Sequence, residues 1–183
     1  MWGQGKTLVL ITGASRGLGQ AISVEMAKLD APVLVLISRD LEGLEKTAEM
    51  CKNVNEKCQV ILKQVDLSQA TKDDLKVVLE DLDKDFESLV LVHNAGSLGN
   101  QGTKVTDFDN AKEMQDYFYL NIVSVMLLNS IVYHKFKDVQ NKLVINISSL
   151  AALQPFETWG YYCSGKAARD SLFKGLTGCL VPG

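Results

Sequence analysis

The 183-residue chain is long enough for one globular domain with a substantial core. Hydrophobic residues make up 46% of it and charged residues 22%, which is typical of a soluble globular protein. The net charge of -3 gives no reason to expect nucleic-acid binding. Two histidines and four cysteines without a Cys-x-x-Cys pair argue against a zinc site, and we expect no metal.

No segment is predicted to be a membrane anchor or a secretory signal. The first apolar run, at positions 8–11, is too short for a signal sequence. The longer apolar region at 117–133 is interrupted by Asn121, Ser124, Asn129 and Ser130, which disfavours a bilayer span. We therefore expect a cytoplasmic protein with reduced thiols.

The first strand, glycine-rich loop and helix predict a dinucleotide-binding site. Residues 7–11 form a continuous apolar run, as in a strand buried on both faces, and a helical pattern begins near Ala21. Between them, one glycine can form the tight turn, a second can admit the pyrophosphate, and a third can let helix and strand pack closely. The Gly-x-x-x-Gly-x-Gly spacing differs from Gly-x-Gly-x-x-Gly, and a loop without a ligand is the alternative. The predicted phosphate-binding residues are Gly13, Ala14, Ser15, Arg16, Gly17, Leu18 and Gly19.

The end of the second predicted strand, at 33–37, favours NADP(H) over NAD(H). An acidic residue usually ends this strand where the ribose 2'-hydroxyl is bound, whereas an arginine accommodates a 2'-phosphate. Ser38 stands in the place of the acid, Arg39 follows it, and Arg16 lies in the glycine loop. The alternative is that both arginines are surface residues, and Asp40 is a minor argument against NADP(H).

Further strands are predicted at 59–65, 88–92 and 143–147, alternating with helices. This alternation predicts an α/β fold with a doubly wound parallel sheet, in a single domain over 1–183. Asp66 and Leu67 follow the third strand and could approach an adenine, although from the residues alone Asp66 could be a cap or turn residue. The fourth strand leads into His93-Asn94-Ala95-Gly96.

A long helix from about 110 to about 135 contains Asn121 in its apolar portion. Because a buried amide needs partners, Asn121 is either a satisfied structural residue or part of a proton relay. The fifth strand delivers Ser148 and Ser149 to the carboxyl edge of the sheet, where ligands bind in open α/β folds. The last helix is predicted to start near Trp159.

Tyr162 and Lys166 lie four residues apart and therefore share one face of that helix. A free tyrosine has a pKa of roughly 10, and a neighbouring cation lowers it by stabilising the phenolate. Such a phenol can donate a proton to a carbonyl that is being reduced. Alone, such a pair is more often an exposed tyrosine beside a solvated lysine. The upstream serine and the glycine loop favour a catalytic pair here.

These motifs together resemble the short-chain dehydrogenase/reductase family. The matching positions are Thr12, Gly13, Gly17, Gly19, Asn94-Ala95-Gly96, Asn121, Ser149, Tyr162 and Lys166. The resemblance implies that Ser149 holds and polarises a carbonyl, Tyr162 donates the proton, Lys166 assists it and binds the nicotinamide ribose, and Asn121 supports a water relay. It also implies cofactor contacts from Arg39, Asp40, Asp66, Leu67 and Asn94.

Residues 94–99 and 146–170 are similar to a subgroup of the family that reduces pterin side-chain carbonyls with NADPH in tetrahydrobiopterin synthesis. The resemblance further implies a homodimer formed through the long helix and the last helix. A reductase for another ketone or aldehyde is the nearest alternative. The other is a non-catalytic form that binds NADP and dimerises.

Two departures from the family pattern stand out. His93 occupies the place of the first asparagine in the usual Asn-Asn-Ala-Gly. Family members also continue beyond the region of Gly183 with at least one more strand and a substrate-covering segment. We therefore expect a shortened, less stable and weakly active reductase, with an unpaired edge on the fifth strand and a poorly covered last helix.

Overall fold

The computed structural model describes residues 5–180, with only the backbone described for 177–180. Its five parallel strands lie in the order β3-β2-β1-β4-β5, which confirms the predicted doubly wound sheet. The strands are β1 (Thr7–Thr12), β2 (Val33–Ser38), β3 (Gln59–Gln64), β4 (Ser88–His93) and β5 (Asn141–Asn146).

Helices cover both faces of this sheet. The α-helices within residues 5–180 are α1 (Gly17–Met26), α2 (Leu41–Val54), α3 (Lys72–Leu79), α4 (Ala111–Phe118), α5 (Ser124–Lys135) and α6 (Gly160–Leu180). One apolar cluster joins the sheet to α1 and α2, and a second joins the opposite face to α3 and α5. α3 ends at Leu79, and the apolar residues Leu82 and Phe86 that follow it are also buried.

The position of each strand explains its composition. β1, β2 and β4 are central and almost entirely buried, as their continuous apolar runs predict. β3 and β5 lie at the edges, are less buried and carry polar residues at both of their ends. The chain passes from β1 toward β3 on one side and from β4 to β5 on the other, so the order reverses between β1 and β4. The carboxyl ends of these two strands therefore mark the crevice where ligands bind in such sheets.

β5 is paired on one side only. Within residues 5–180 it hydrogen-bonds to β4 alone, and Leu143 at this edge is 41% exposed. The predicted unpaired edge of the fifth strand is therefore confirmed for the described part of the chain. Such an edge is a template for pairing with another strand.

The long helix predicted at about 110–135 is present but is not uniformly α-helical. A π-helical turn at Tyr119–Val123 separates α4 from α5. By length and composition Ala111–Lys135 could cross a bilayer, but buried helices of globular domains meet the same criteria. Val125, Leu128 and Val132 of this helix are buried.

Candidate active site

The glycine loop brings the backbone of β1 and α1 into close contact. A Cβ on Gly19 would lie only 2.2 Å from the Gly13 carbonyl oxygen, so only glycine fits at this crossing. Gly17 has φ +58° and has no neighbouring atom within 4 Å of where a Cβ would stand. The loop therefore packs tightly against the protein at Gly19 and leaves open space beside the backbone at Gly17.

The amino-terminal end of α1 is not capped by a protein side chain. Arg16 occupies the N-cap position without a side-chain hydrogen bond to the helix. By contrast, Asp40, Thr71 and Asn110 each accept a backbone N–H at the start of α2, α3 and α4. The free amides and helix dipole of α1 suit a phosphate group.

A cavity of about 460 Å³ opens at this end of α1. Its lining residues are Gly13, Ser15, Arg16, Gly17, Ser38, Arg39, Asp40, Val65, Asp66, Leu67, Asn94, Ala95, Gly96 and Leu120. Three predicted phosphate-loop residues are not among them: Ala14 and Gly19 are buried beneath the loop, and Leu18 is 55% exposed. The size, the two arginines and the uncapped helix end fit a dinucleotide.

The charged groups of the cavity wall formed by residues 39–40 and 66–67 interact with one another and with backbone groups. Arg39 Nη1 lies 3.8 Å from Asp66 Oδ2. Asp66 accepts hydrogen bonds from the hydroxyl and backbone N–H of Ser68, and these bonds, with Arg39, hold its pKa below the usual value. Asp66 is thus both a turn residue and part of the cavity wall. Asp40 accepts from the Gly43 N–H at 3.1 Å and caps α2.

Hydrogen bonds lock the carboxyl end of β4 to the glycine loop. Thr12 Oγ1 donates to the Val92 carbonyl and accepts the backbone N–H groups of Asn94 and Ala95. The Asn94 amide donates to the carbonyls of Thr12 and Gly13, at 2.9 and 3.2 Å. The predicted site did not include Thr12, although its hydroxyl organises two of the cavity walls.

Asn121 lies inside the π-helical turn and is buried. Its amide donates to the Tyr117 carbonyl at 2.9 Å, and its Oδ1 accepts the Ser97 N–H at 3.1 Å. Both ends of the side chain are therefore satisfied, as for a structural amide. π-helical turns occur frequently at functional sites. The water relay implied by the resemblance stays a prediction.

Ser149 follows β5 and starts a short 3₁₀ helix, Leu150–Ala152. Its Oγ accepts the Ala151 N–H at 3.2 Å. A serine hydroxyl has one donor and two acceptor sites, so this bond leaves its proton free for a ligand. The sequence correctly placed this residue at the carboxyl edge of the sheet.

Tyr162 and Lys166 are brought together on α6, as predicted. Lys166 Nζ lies 5.5 Å from the centre of the Tyr162 ring and donates to the Ile147 carbonyl at 2.5 Å. Burial, and secondarily the charge of Arg169, lower the pKa of Lys166 to about 8, while Asp170 opposes the shift. Lys166 is therefore a cation at neutral pH. Like Ser149, these two residues lie outside the lining of the cavity.

The sequence predicted no site role for a group of polar residues that connects α6 to the ends of β4 and β5. It comprises His93, Asn146, Arg169 and Asp170, of which His93 and Arg169 are fully or almost fully buried. The spacing offered a signal, because Arg169 follows Tyr162 by seven residues and Lys166 by three and thus shares their helix face.

Comparison with known proteins identifies the family that the sequence motifs resemble. The family model for short chain dehydrogenases matches residues 7–181. Sepiapterin reductase of Meriones unguiculatus is 38% identical over 179 residues, covering 93% of this chain and 68% of that protein. The 17-beta-hydroxysteroid dehydrogenase type 3 of Homo sapiens is 36% identical over 168 residues, covering 91% of this chain and 52% of that protein.

Among solved structures, a short chain dehydrogenase from Escherichia coli CFT073, crystallised with NADPH, superposes with a TM-score of 0.80 at 22% identity. The match covers 93% of this chain and 70% of that one, and at this identity it supports the fold. The match to the family model and the identity to the curated relatives carry the assignment. The chain belongs to the short chain dehydrogenase family of oxidoreductases.

Proposed function

We propose that this protein is an NADPH-dependent carbonyl reductase of the sepiapterin reductase type, acting on a pterin side-chain carbonyl in tetrahydrobiopterin synthesis. The observation that carries the proposal is the Tyr162–Lys166 pair, anchored to the Ile147 carbonyl just before Ser149. The open glycine loop and the uncapped start of α1 support the binding of a dinucleotide phosphate by the same protein. The similarity to sepiapterin reductases supports the substrate class.

Each residue has a defined task in this reaction. The reduced nicotinamide supplies the hydride. Ser149 donates a hydrogen bond from its hydroxyl to the substrate carbonyl oxygen and so polarises the carbonyl. Tyr162 then donates its proton to the same oxygen, and the Lys166 ammonium stabilises the negative charge that develops on the phenol. The Lys166 bond to Ile147 holds this ammonium against the end of β5.

Arg39 is expected to determine the preference for NADPH. Arg39→Ala should weaken NADPH binding by about 10- to 100-fold, because a charge-assisted contact to the 2'-phosphate is lost, and should change NADH binding little. Dissociation constants for both cofactors, measured by fluorescence titration, check this. Lys46→Ala is the matched control, since Lys46 carries the same charge on the exposed side of α2, paired with Glu42. Equal losses for NADPH and NADH in Arg39→Ala would refute the role.

The substrate class is tested by comparing kcat/KM for sepiapterin, a simple vicinal diketone and a 17-ketosteroid with NADPH. We expect sepiapterin to exceed the other two by at least about 10-fold, a difference of about 1.4 kcal/mol in transition-state binding. A preference for the steroid or the diketone would instead support a reductase for another ketone, in keeping with the similarity to the hydroxysteroid dehydrogenase. Homodimer formation and a cytoplasmic location stay predictions.

A further inference from the structure

Arg169 is completely buried, yet no carboxylate lies within 4 Å of its guanidinium among the described residues. Its donors instead bind three oxygens at the carboxyl edge of the sheet. Nε donates to Asn146 Oδ1 at 2.9 Å, Nη1 to the Ala95 carbonyl at 3.0 Å, and Nη2 to the His93 carbonyl at 2.6 Å. One side chain of α6 thus fixes the ends of β4 and β5 relative to each other.

The neighbouring carboxylate extends this network toward the catalytic serine. Asp170 accepts from the Asn146 amide at 3.0 Å and from the Ser148 hydroxyl at 2.7 Å. Ser148 directly precedes Ser149 in the chain. Asn146 is therefore held at both ends of its amide by consecutive residues of α6, and the segment that carries Ser149 is held through Ser148.

A buried charge is a costly way to stabilise a core, since an apolar side chain of similar volume often serves as well. A planar guanidinium, however, fixes the directions of several acceptors at once. Tyr162, Lys166 and Arg169 follow each other along one face of α6 with spacings of four and three. Any rotation of α6 would break the Arg169 bonds and displace the other two residues together.

We propose that Arg169 is a positioning residue of the active site, whose guanidinium fixes α6 against the carboxyl ends of β4 and β5 and so sets Tyr162 and Lys166 relative to Ser149 and the cofactor cavity. The proposal rests on the proposed function, because it concerns the same site. It assigns to a residue outside the cavity a role in the geometry of the reaction.

The charges around Arg169 give a readout that a purely structural role would not change. Arg169 and Asp170 act on Lys166 from the same helix, with opposite effects on its pKa. Arg169 in turn interacts with the phenols of Tyr117, on α4, and Tyr162. Loss of the guanidinium charge should therefore shift the titration of Lys166, whether or not the protein turns over a substrate.

The test compares Arg169→Lys, Arg169→Met and Asn146→Ala with wild type, and uses Lys174→Met on the exposed side of α6 as the charge control. The titration of Lys166 is followed by NMR with ¹³C-labelled lysine, assigned with Lys166→Arg, and kcat/KM is measured on samples shown to be folded by circular dichroism. In Arg169→Met the Lys166 pKa should rise by about 0.5 to 1 unit. In Arg169→Lys, which keeps the charge, it should stay near the wild-type value.

For kcat/KM we expect a loss of about 100-fold in Arg169→Lys, because misplacement of reacting groups by about 1 Å has effects of this size. Asn146→Ala removes only the side-chain bonds that join α6 to β5, and it should lower kcat/KM by about 10-fold while the Lys166 titration stays unchanged. This variant keeps the test valid if the arginine variants do not fold. Wild-type-like kcat/KM in a folded Arg169→Lys or in Asn146→Ala would overturn the proposal. Absence of turnover in the wild type would instead refute the proposed function, and an unshifted Lys166 in Arg169→Met would by itself refute the electrostatic coupling.

Discussion

Tyr162→Phe is expected to lower kcat for carbonyl reduction by about 10²- to 10⁴-fold, the usual contribution of a positioned general acid. The variant keeps the ring that packs edge-on against Trp159, at 5.7 Å between centroids, and removes only the hydroxyl. NADPH affinity should change little, because Tyr162 is not among the residues that line the cavity with the glycine loop and Arg39. Steady-state kinetics together with fluorescence titration of NADPH separate the two effects.

Tyr161→Phe is the matched control. Tyr161 directly precedes Tyr162 on α6 but is buried and stacked on Phe108, at 4.3 Å between centroids, so its hydroxyl has no part in the proposed chemistry. Its kcat should remain within about threefold of wild type, as expected when no transition-state interaction is removed. NADPH binding by a wild-type protein without any reductase activity would instead support the non-catalytic alternative.

Acid is expected to destabilise the fold through His93. Burial, with a further contribution from the charge of Arg169, lowers the pKa of His93 from 6.5 to about 3, and the nearby Asn129 opposes the shift weakly. Neither ring nitrogen makes a hydrogen bond of normal geometry to the described residues, and the ring packs against Phe173 at 5.3 Å between centroids. The folded protein therefore holds this imidazole in its neutral form.

The sign of the effect follows from the direction of the pKa shift. Because the folded pKa lies below the unfolded one, stability is retained above the unfolded value and is lost as pH falls from about 6.5 toward 3. At pH 5 the unfolding free energy should be about 2 kcal/mol lower than at pH 7 from this residue alone. Urea unfolding at the two pH values measures the difference.

His93→Asn should remove this part of the pH dependence, because an amide does not titrate in that range. His134→Asn, at the exposed second histidine of the chain, should leave it in place. The comparison is between pH values within each variant, so a general loss of stability from substitution in the core does not affect it. An unchanged acid slope in His93→Asn would contradict the assignment.

The sequence was informative where one local pattern determines structure. Continuous apolar runs identified β1, β2 and β4, because central strands of a parallel sheet are buried on both faces. The spacing of four between Tyr162 and Lys166 predicted their contact for a geometric reason that needs no tertiary information. The glycine loop was recognised from its place between a strand and a helix. These features account for most of the cavity and for the proposed catalytic pair.

The sequence was less informative where function depends on contacts between distant segments. Arg169 binds groups at positions 93, 95 and 146, and no local pattern indicates that these acceptors meet. The substitution of histidine for asparagine at position 93 was noticed, but its complete burial beside Arg169 follows only from the packing of α6 on the sheet. Ala14, Leu18 and Gly19 were assigned to the phosphate loop from their position; they are not in the lining of the cavity, and their contact with a phosphate stays a prediction.

The π-helical turn at Tyr119–Val123 sets the relative orientation of the two helices it joins. Each residue of an α-helix advances the chain by about 100° around the helix axis. A π-turn holds one more residue than an α-turn, and without the π-turn that extra residue would rotate α5 by roughly this angle relative to α4. Leu128 and Val132 would leave the sheet while Tyr117 stayed in place. The wider turn thus acts as a phase correction, which lets one continuous helix direct the Asn121 side chain to the Ser97 backbone and an apolar stripe to the core.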